Sequence, residues 1–148
     1  CFDVREEDGK WFNCYLVPIS QIDVLTPGTM YGYGICNVIP NMVKHNVPNC
    51  GWKVWLPAGK LFYCTDMNNL NGIAAPNYDL YMVEANYEDE EIQAKIAEKK
   101  LTGEYIYEKR VLRDHMSVAK INDWLYANMG SNSAYIYMHC HQDKEDIT

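Results

Sequence analysis

The sequence contains no Cys-x-x-Cys: its six cysteines stand at 1, 14, 36, 50, 64 and 140, a spacing that removes zinc ribbons and thioredoxin-type redox sites. They are too sparse for a disulfide framework and lie in apolar stretches such as Phe62-Tyr63-Cys64, the pattern of small buried hydrophobes in a reducing compartment. No apolar run reaches the roughly 18–20 residues of a membrane span. No basic head followed by an apolar core opens the chain, so no targeting segment is visible. Cations are the minority, 13 Lys+Arg against 20 Asp+Glu for a net charge of −7. That balance opposes broad attraction to nucleic acid or anionic lipid, although a local basic cleft stays open. With 48% hydrophobic and 22% charged residues, the chain also lacks the skew of disorder, collagen or coiled coil. The expectation is a soluble, cytoplasmic chain whose 148 residues fill about one domain. No initiator Met is present; the chain opens at Cys1, as a sequence does that begins downstream of its gene's start.

What is there reads as sheet first and helix later. Residues 11–19 and 21–25 read as strands, and Thr26-Pro27-Gly28 as a turn. A further strand runs from Ile35 towards Lys44, with Pro40 marking a break or an edge. Cys50 to Leu56, Pro57-Ala58-Gly59 and Lys60 to Cys64 form a strong hairpin signal. Tyr78 to Ala85 is a buried strand. Glu88 to Lys100 has acids leading, lysines trailing and Ile92 and Ile96 at i, i+4, which predicts a helix. Ser117 caps a second helix over 118–128, with Gly130 as its stop. Ala134 to His139 is the last strand. No repeat, low-complexity tract or linker interrupts the series, so the fold class is α/β, a layered domain.

The four histidines, His45, His115, His139 and His141, lie beside boundaries between elements and loops, where a rigid element can aim a side chain into a cleft. His139 and His141 would face the same side of a strand. Acids do the same: Asp66 follows the Lys60–Cys64 strand directly, and Glu84 closes the Tyr78–Ala85 strand. Costly polar groups at several strand ends suit a hydrolytic metal site, where a rigid sheet fixes ligand directions. Histidine with carboxylate and no cysteine suits zinc, manganese or iron at a site that keeps an open position for water.

Five ordered stretches carry a family resemblance: Val43-Lys-His45-Asn-Val-Pro-Asn-Cys-Gly51-Trp-Lys-Val54; Lys60-Leu-Phe-Tyr-Cys-Thr65-Asp66; Asp79-Leu-Tyr-Met-Val-Glu84-Ala-Asn-Tyr87; Asp114-His115-Met-Ser117; and Tyr135-Ile-Tyr-Met-His139. Over nearly the whole chain after about Ile35 they resemble the metallo-β-lactamase superfamily, closest to its branch of ribonuclease Z and the cyclic-nucleotide phosphodiesterases. The resemblance implies an αββα sandwich and a metal-dependent hydrolase, most simply a phosphodiesterase acting on RNA or a cyclic nucleotide. It makes His45 a ligand of the first metal, Asp66 the bridge between two metals and His139 the last ligand of the second. Glu84 and His115 resemble the pair in which a carboxylate orients an imidazole that acts on the leaving group or scissile phosphate. The implied cofactor is zinc, two ions in the intact domain, with manganese as the alternative. His141 has no counterpart and reads as a surface or supporting residue.

One family feature is missing. The His-x-His-x-Asp-His motif has no counterpart, because no histidine precedes His45. Residues 1–148 are therefore expected to be the C-terminal portion of one metallo-β-lactamase-fold domain, incomplete at its N-terminal side and inactive as a fragment. The partners expected are a nucleotide or RNA phosphodiester substrate and no membrane, with room for a homodimer. The acidic balance favours a small nucleotide over long RNA. Two alternatives stand beside this reading: a non-catalytic binding module retaining the fold, and a lactone or thioester hydrolase on the same scaffold.

Overall fold

The computed structural model describes residues 23–140 and, before them, the backbone of two short antiparallel strands, β1 (Val4–Glu7) and β2 (Lys10–Asn13). The main sheet has six strands in chain order: β3 (Tyr31–Gly32), β4 (Asn37–Val43), β5 (Asn49–Leu56), β6 (Gly59–Cys64), β7 (Leu80–Glu84) and β8 (Ala134–Met138). β3 to β6 are antiparallel neighbours, whereas β6–β7 and β7–β8 are parallel. Parallel pairs need crossovers. The one between β7 and β8 carries the three helices, α1 (Asp89–Thr102), α2 (Glu108–Asp114) and α3 (Val118–Asn128).

The register decides where the functional side chains end up. β4 and β6 are both antiparallel to β5, and β7 and β8 are parallel to β6, so β4, β6, β7 and β8 all run the same way. Their C-terminal ends share one edge of the sheet, the edge where open α/β sheets place ligands.

Alternation along the strands gives the sheet two unlike faces. Phe62, Cys64, Tyr81 and Val83 turn to one side and are fully buried against Ile121 and Leu125 of α3, with Trp124 packed beside them. The Phe62 and Trp124 ring centroids are 5.0 Å apart. The Tyr81 hydroxyl lies 2.7 Å from Ala75 O and 2.9 Å from Asn128 O, tying the β6–β7 loop to the end of α3. On the opposite face Trp52, Val54, Leu61, Tyr63 and Met82 line up across the strands and stay only partly buried, with Ile136 exposed at the end of the row. A satellite cluster of Tyr87, Ile92, Ile96 and Val111 joins α1 to α2.

The expected hairpin is β5–β6. Gly59 (φ 148°) is required there, because a Cβ would come within 2.7 Å of the Asp79 carboxylate that accepts the Lys60 N–H. β4 runs through Pro40 without a break. The Pro40 carbonyl accepts from Gly28 N, which places its donor-less nitrogen on the side where β3 has already ended. α1 stops at Gly103 in the left-handed region, and Ser117 caps α3 by accepting the Lys120 N–H. One reading is corrected and one element is new. Asp23–Leu25 forms no strand, since no neighbour pairs with it and Val24 is 93% exposed. α2 was not anticipated from the sequence. The expected strand segments over residues 14–22 lie outside the described residues. The described cysteines, Cys36, Cys50, Cys64 and Cys140, are free, but only Cys64 is fully buried and Cys140 is exposed. Among the described residues no helix is long and apolar enough to cross a membrane.

Candidate metal centre

His45 lies two residues beyond β4, Asp66 two beyond β6, Glu84 at the last position of β7 and His139 directly after β8. His115 sits at the junction between α2 and α3, which the crossover folds back over the same edge. One potential ligand atom from each of Asp66, Glu84, His115 and His139 lies within 4.8 Å of the others. His45 joins through its ring, 5.3 Å from that of His115, which in turn is 5.0 Å from that of His139. The structure thus brings all five singled-out residues to one place. His141 lies outside the described residues.

Glu84 is the buried root of this cluster. Its carboxylate is 0% exposed and accepts three hydrogen bonds: Met67 N–H on Oε2 at 2.9 Å, and Met116 N–H and His115 Nδ1 on Oε1 at 3.3 and 2.7 Å. One side chain therefore pins the loop after β6, the end of β7 and the start of α3. With both oxygens engaged, Glu84 orients its neighbours better than it could bind an ion. The hydrogen bond to Glu84 raises the His115 pKa above the ordinary histidine value, against the opposing effect of burial.

Asp66 and His139 form the open rim, with side chains 44% and 42% exposed and Oδ1 2.9 Å from Nδ1. Both adopt positive φ, 54° and 53°. His45 lies behind them. Its Nδ1 donates to the Asp114 carbonyl at 3.0 Å, so that in the neutral ring the lone pair is on Nε2. The Asp114 carboxylate takes a two-pronged hydrogen bond from Arg113, 2.9 Å on each oxygen, and the guanidinium holds its pKa below the usual carboxylate range.

This donor set fits a divalent ion. It offers imidazole nitrogen and carboxylate oxygen without thiolate, the ligand chemistry of zinc or manganese. His45 carries the outer carbonyl partner that metal-binding histidines ordinarily have.

Two residues without a role in the sequence reading also belong to the site. Asn49 Nδ2 donates to the carbonyls of Thr65 and Asp66, at 2.8 and 2.9 Å, and Asn86 Nδ2 donates to the His139 carbonyl at 2.8 Å. Both fall inside the stretches that carry the resemblance. Nothing local distinguishes them, because their partners are distant in the chain.

No protein-family model and no curated protein matches this sequence. Among solved structures, the metallo-beta-lactamase fold protein YhfI from Bacillus subtilis is similar, with a TM-score of 0.59 and 14% identity, over 84% of this chain and 45% of that one. At this identity the likeness is one of fold: a mixed α/β architecture similar to that of a metallo-beta-lactamase fold protein, of which this chain spans less than half the length.

Proposed function

We propose that the chain carries part of the active site of a metal-dependent hydrolase of the metallo-β-lactamase superfamily, a phosphodiesterase of the ribonuclease Z and cyclic-nucleotide branch. The observation that carries the reading is the convergence of His45, Asp66, His115 and His139 around buried Glu84 at one sheet edge. His45, Asp66 and His139 would hold the ions, zinc or manganese, with Asp66 as the bridge. A bound ion supplies a nucleophile at neutral pH by lowering the pKa of water.

The chain's own residues account for the rest. Glu84 takes the His115 Nδ1–H, so the other ring nitrogen is free to serve the substrate. The raised pKa favours imidazolium, which can donate to a phosphoryl oxygen or protonate the departing one. The partner is a nucleotide or RNA phosphodiester in the cytoplasm, and the acidic chain favours a small one.

The half-covered sheet face supports the remaining part of the proposal, that residues 1–148 are the C-terminal portion of an αββα sandwich. Trp52, Val54, Leu61, Tyr63 and Met82 form an apolar surface of the kind that faces a second sheet about 10 Å away. A His-x-His-x-Asp-His encoded in frame upstream of Cys1 would supply the other ligands. The longer product should then carry close to two equivalents of zinc or manganese and hydrolyse bis(p-nitrophenyl) phosphate. A well-folded longer product with neither metal nor hydrolysis overturns the proposal and leaves a binding module.

A further inference from the structure

Among the described residues only three non-glycine residues have positive φ: Asp66, Asn77 and His139. Two of the three are in the metal centre, and they are the pair whose side chains meet at 2.9 Å. A left-handed backbone at a residue with a Cβ persists where surrounding contacts over-determine it, even for aspartate and histidine, which tolerate it better than most. At Asp66 and His139 those contacts have the same form.

Asn49 opens β5, paired with Val43, and so stands on the sheet rather than in the loop it holds. Its Nδ2 donates to the Thr65 and Asp66 carbonyls, and its Oδ1 accepts the Cys50 N–H at 2.9 Å, which fixes the orientation of the amide. Asn86 is 6% exposed and its backbone N–H donates to Met116 O at 3.0 Å. Its Nδ2 donates to the His139 carbonyl, immediately beyond a bond from Ala85 N to Met138 O. In each case an asparagine, Asn49 on β5 and the buried Asn86 two residues after β7, grips the carbonyl of a left-handed residue just beyond a strand. A continued strand would carry the next side chains alternately to opposite faces; a left-handed step ends that alternation and turns the chain.

We infer that Asn49 and Asn86 are the positioning residues of this centre, each clamping the carbonyl of one left-handed ligand residue, so that the Asp66 carboxylate and the His139 imidazole converge before any ion arrives. The clamp itself is a property of the metal-free chain; its purpose rests on the metal-centre reading above. Partners that orient metal ligands from outside are typically worth about 10–100-fold in metal affinity.

The test uses the 148-residue chain, with φ at Asp66 and His139 read from HN–Hα couplings by NMR without metal, and affinity read by titration with cobalt(II) alone. Asn49→Ala should move φ of Asp66, and Asn86→Ala that of His139, towards the extended region. Each should weaken cobalt binding about 10–100-fold and alter the visible spectrum of bound cobalt. Asn128→Ala is the control. Its amide also bridges two backbone groups, Ala75 N and Trp124 O, but away from the centre. It should lower Tm without changing the cobalt spectrum or affinity. If an alanine variant does not fold, the serine variant, too short to reach the carbonyl, replaces it. Unchanged φ in the asparagine variants overturns the inference, as does shifted φ with unchanged cobalt affinity. If the wild-type 148-residue chain takes up no cobalt, the couplings alone decide whether the clamp exists, and the metal reading is decided by the metal content of the longer product.

Discussion

Glu84 Oε1 lies 2.7 Å from His115 Nδ1, and the same fully buried carboxylate accepts the backbone N–H groups of Met67 and Met116. Removing it would leave the N–H groups of Met67 and Met116, and the half-buried His115 ring, without this acceptor. Each buried donor left unpaired costs about 1–3 kcal/mol, and breaking a buried charged pair about 3–5 kcal/mol. Glu84→Ala should therefore lose at least about 3 kcal/mol in urea denaturation at neutral pH. A loss under about 1 kcal/mol would mean that solvent or another acceptor already satisfies those donors.

Gly51 lies directly against the core. A Cβ built on it would come 2.7 Å from Cys64 Sγ and 3.1 Å from Cys64 Cβ, and that sulfur is already 3.1 Å from Met67 Sδ with no exposed surface. Gly51→Ala should destabilise by about 1–3 kcal/mol through overpacking. Adding Cys64→Ala removes the closest obstacle, so the double variant should be more stable than Gly51→Ala alone. Thermal unfolding of the four proteins measures the coupling, and strict additivity would show that the strands separate rather than collide.

Lys99 and Glu108 join α1 to α2 at 2.5 Å, beside the satellite cluster. Burial pushes the Glu108 pKa up, but the Lys99 hydrogen bond and the nearby lysine charges outweigh it and hold the group below its usual value. A depressed folded pKa contributes stability that is present above the unfolded value, about 4.3 for glutamate, and lost as pH falls through the folded one. A double-mutant cycle with Lys99→Met and Glu108→Gln should show coupling of about 0.5–1 kcal/mol at pH 7. The coupling should disappear under more acidic conditions, and coupling that survived there would assign the pair's contribution to packing rather than charge.

Much of this arrangement was legible because it is local. A histidine or acid at the end of an apolar run can be seen residue by residue, as with Asp66 after Cys64 and Glu84 at the end of β7. The single-edge convergence depends on β4 and β6 sharing a direction through β5, which the hairpin implied but no single residue displayed. α2 escaped notice because seven residues make only two turns, too few for Val111 and Leu112 to establish a period. Asn49 and Asn86 had no signal at all. Their partners Asp66 and His139 are 17 and 53 positions away, and a clamp on a backbone carbonyl leaves no trace in the identity of the residue it holds. The alternation read over residues 21–25 misled at Asp23–Leu25 for the opposite reason: a period-2 pattern needs a neighbouring strand to become one.

Asp66 and His115 are neighbours in space with different proposed tasks, so their variants should fail differently. Asp66 is a rim carboxylate 44% exposed, bonded to His139, and its loss removes a ligand from both ions of the proposed centre. Asp66→Ala in the metal-competent protein should fold normally, hold less metal and show no measurable hydrolysis. His115 is tied inward to Glu84 rather than outward to the rim, so His115→Ala should keep its metal. Its turnover should fall by about 10²–10⁴-fold, the usual contribution of a positioned proton donor. Metal content by mass spectrometry alongside kcat separates the two cases. Metal loss in His115→Ala would make it a ligand, and near-normal turnover in Asp66→Ala would remove that carboxylate from the chemistry.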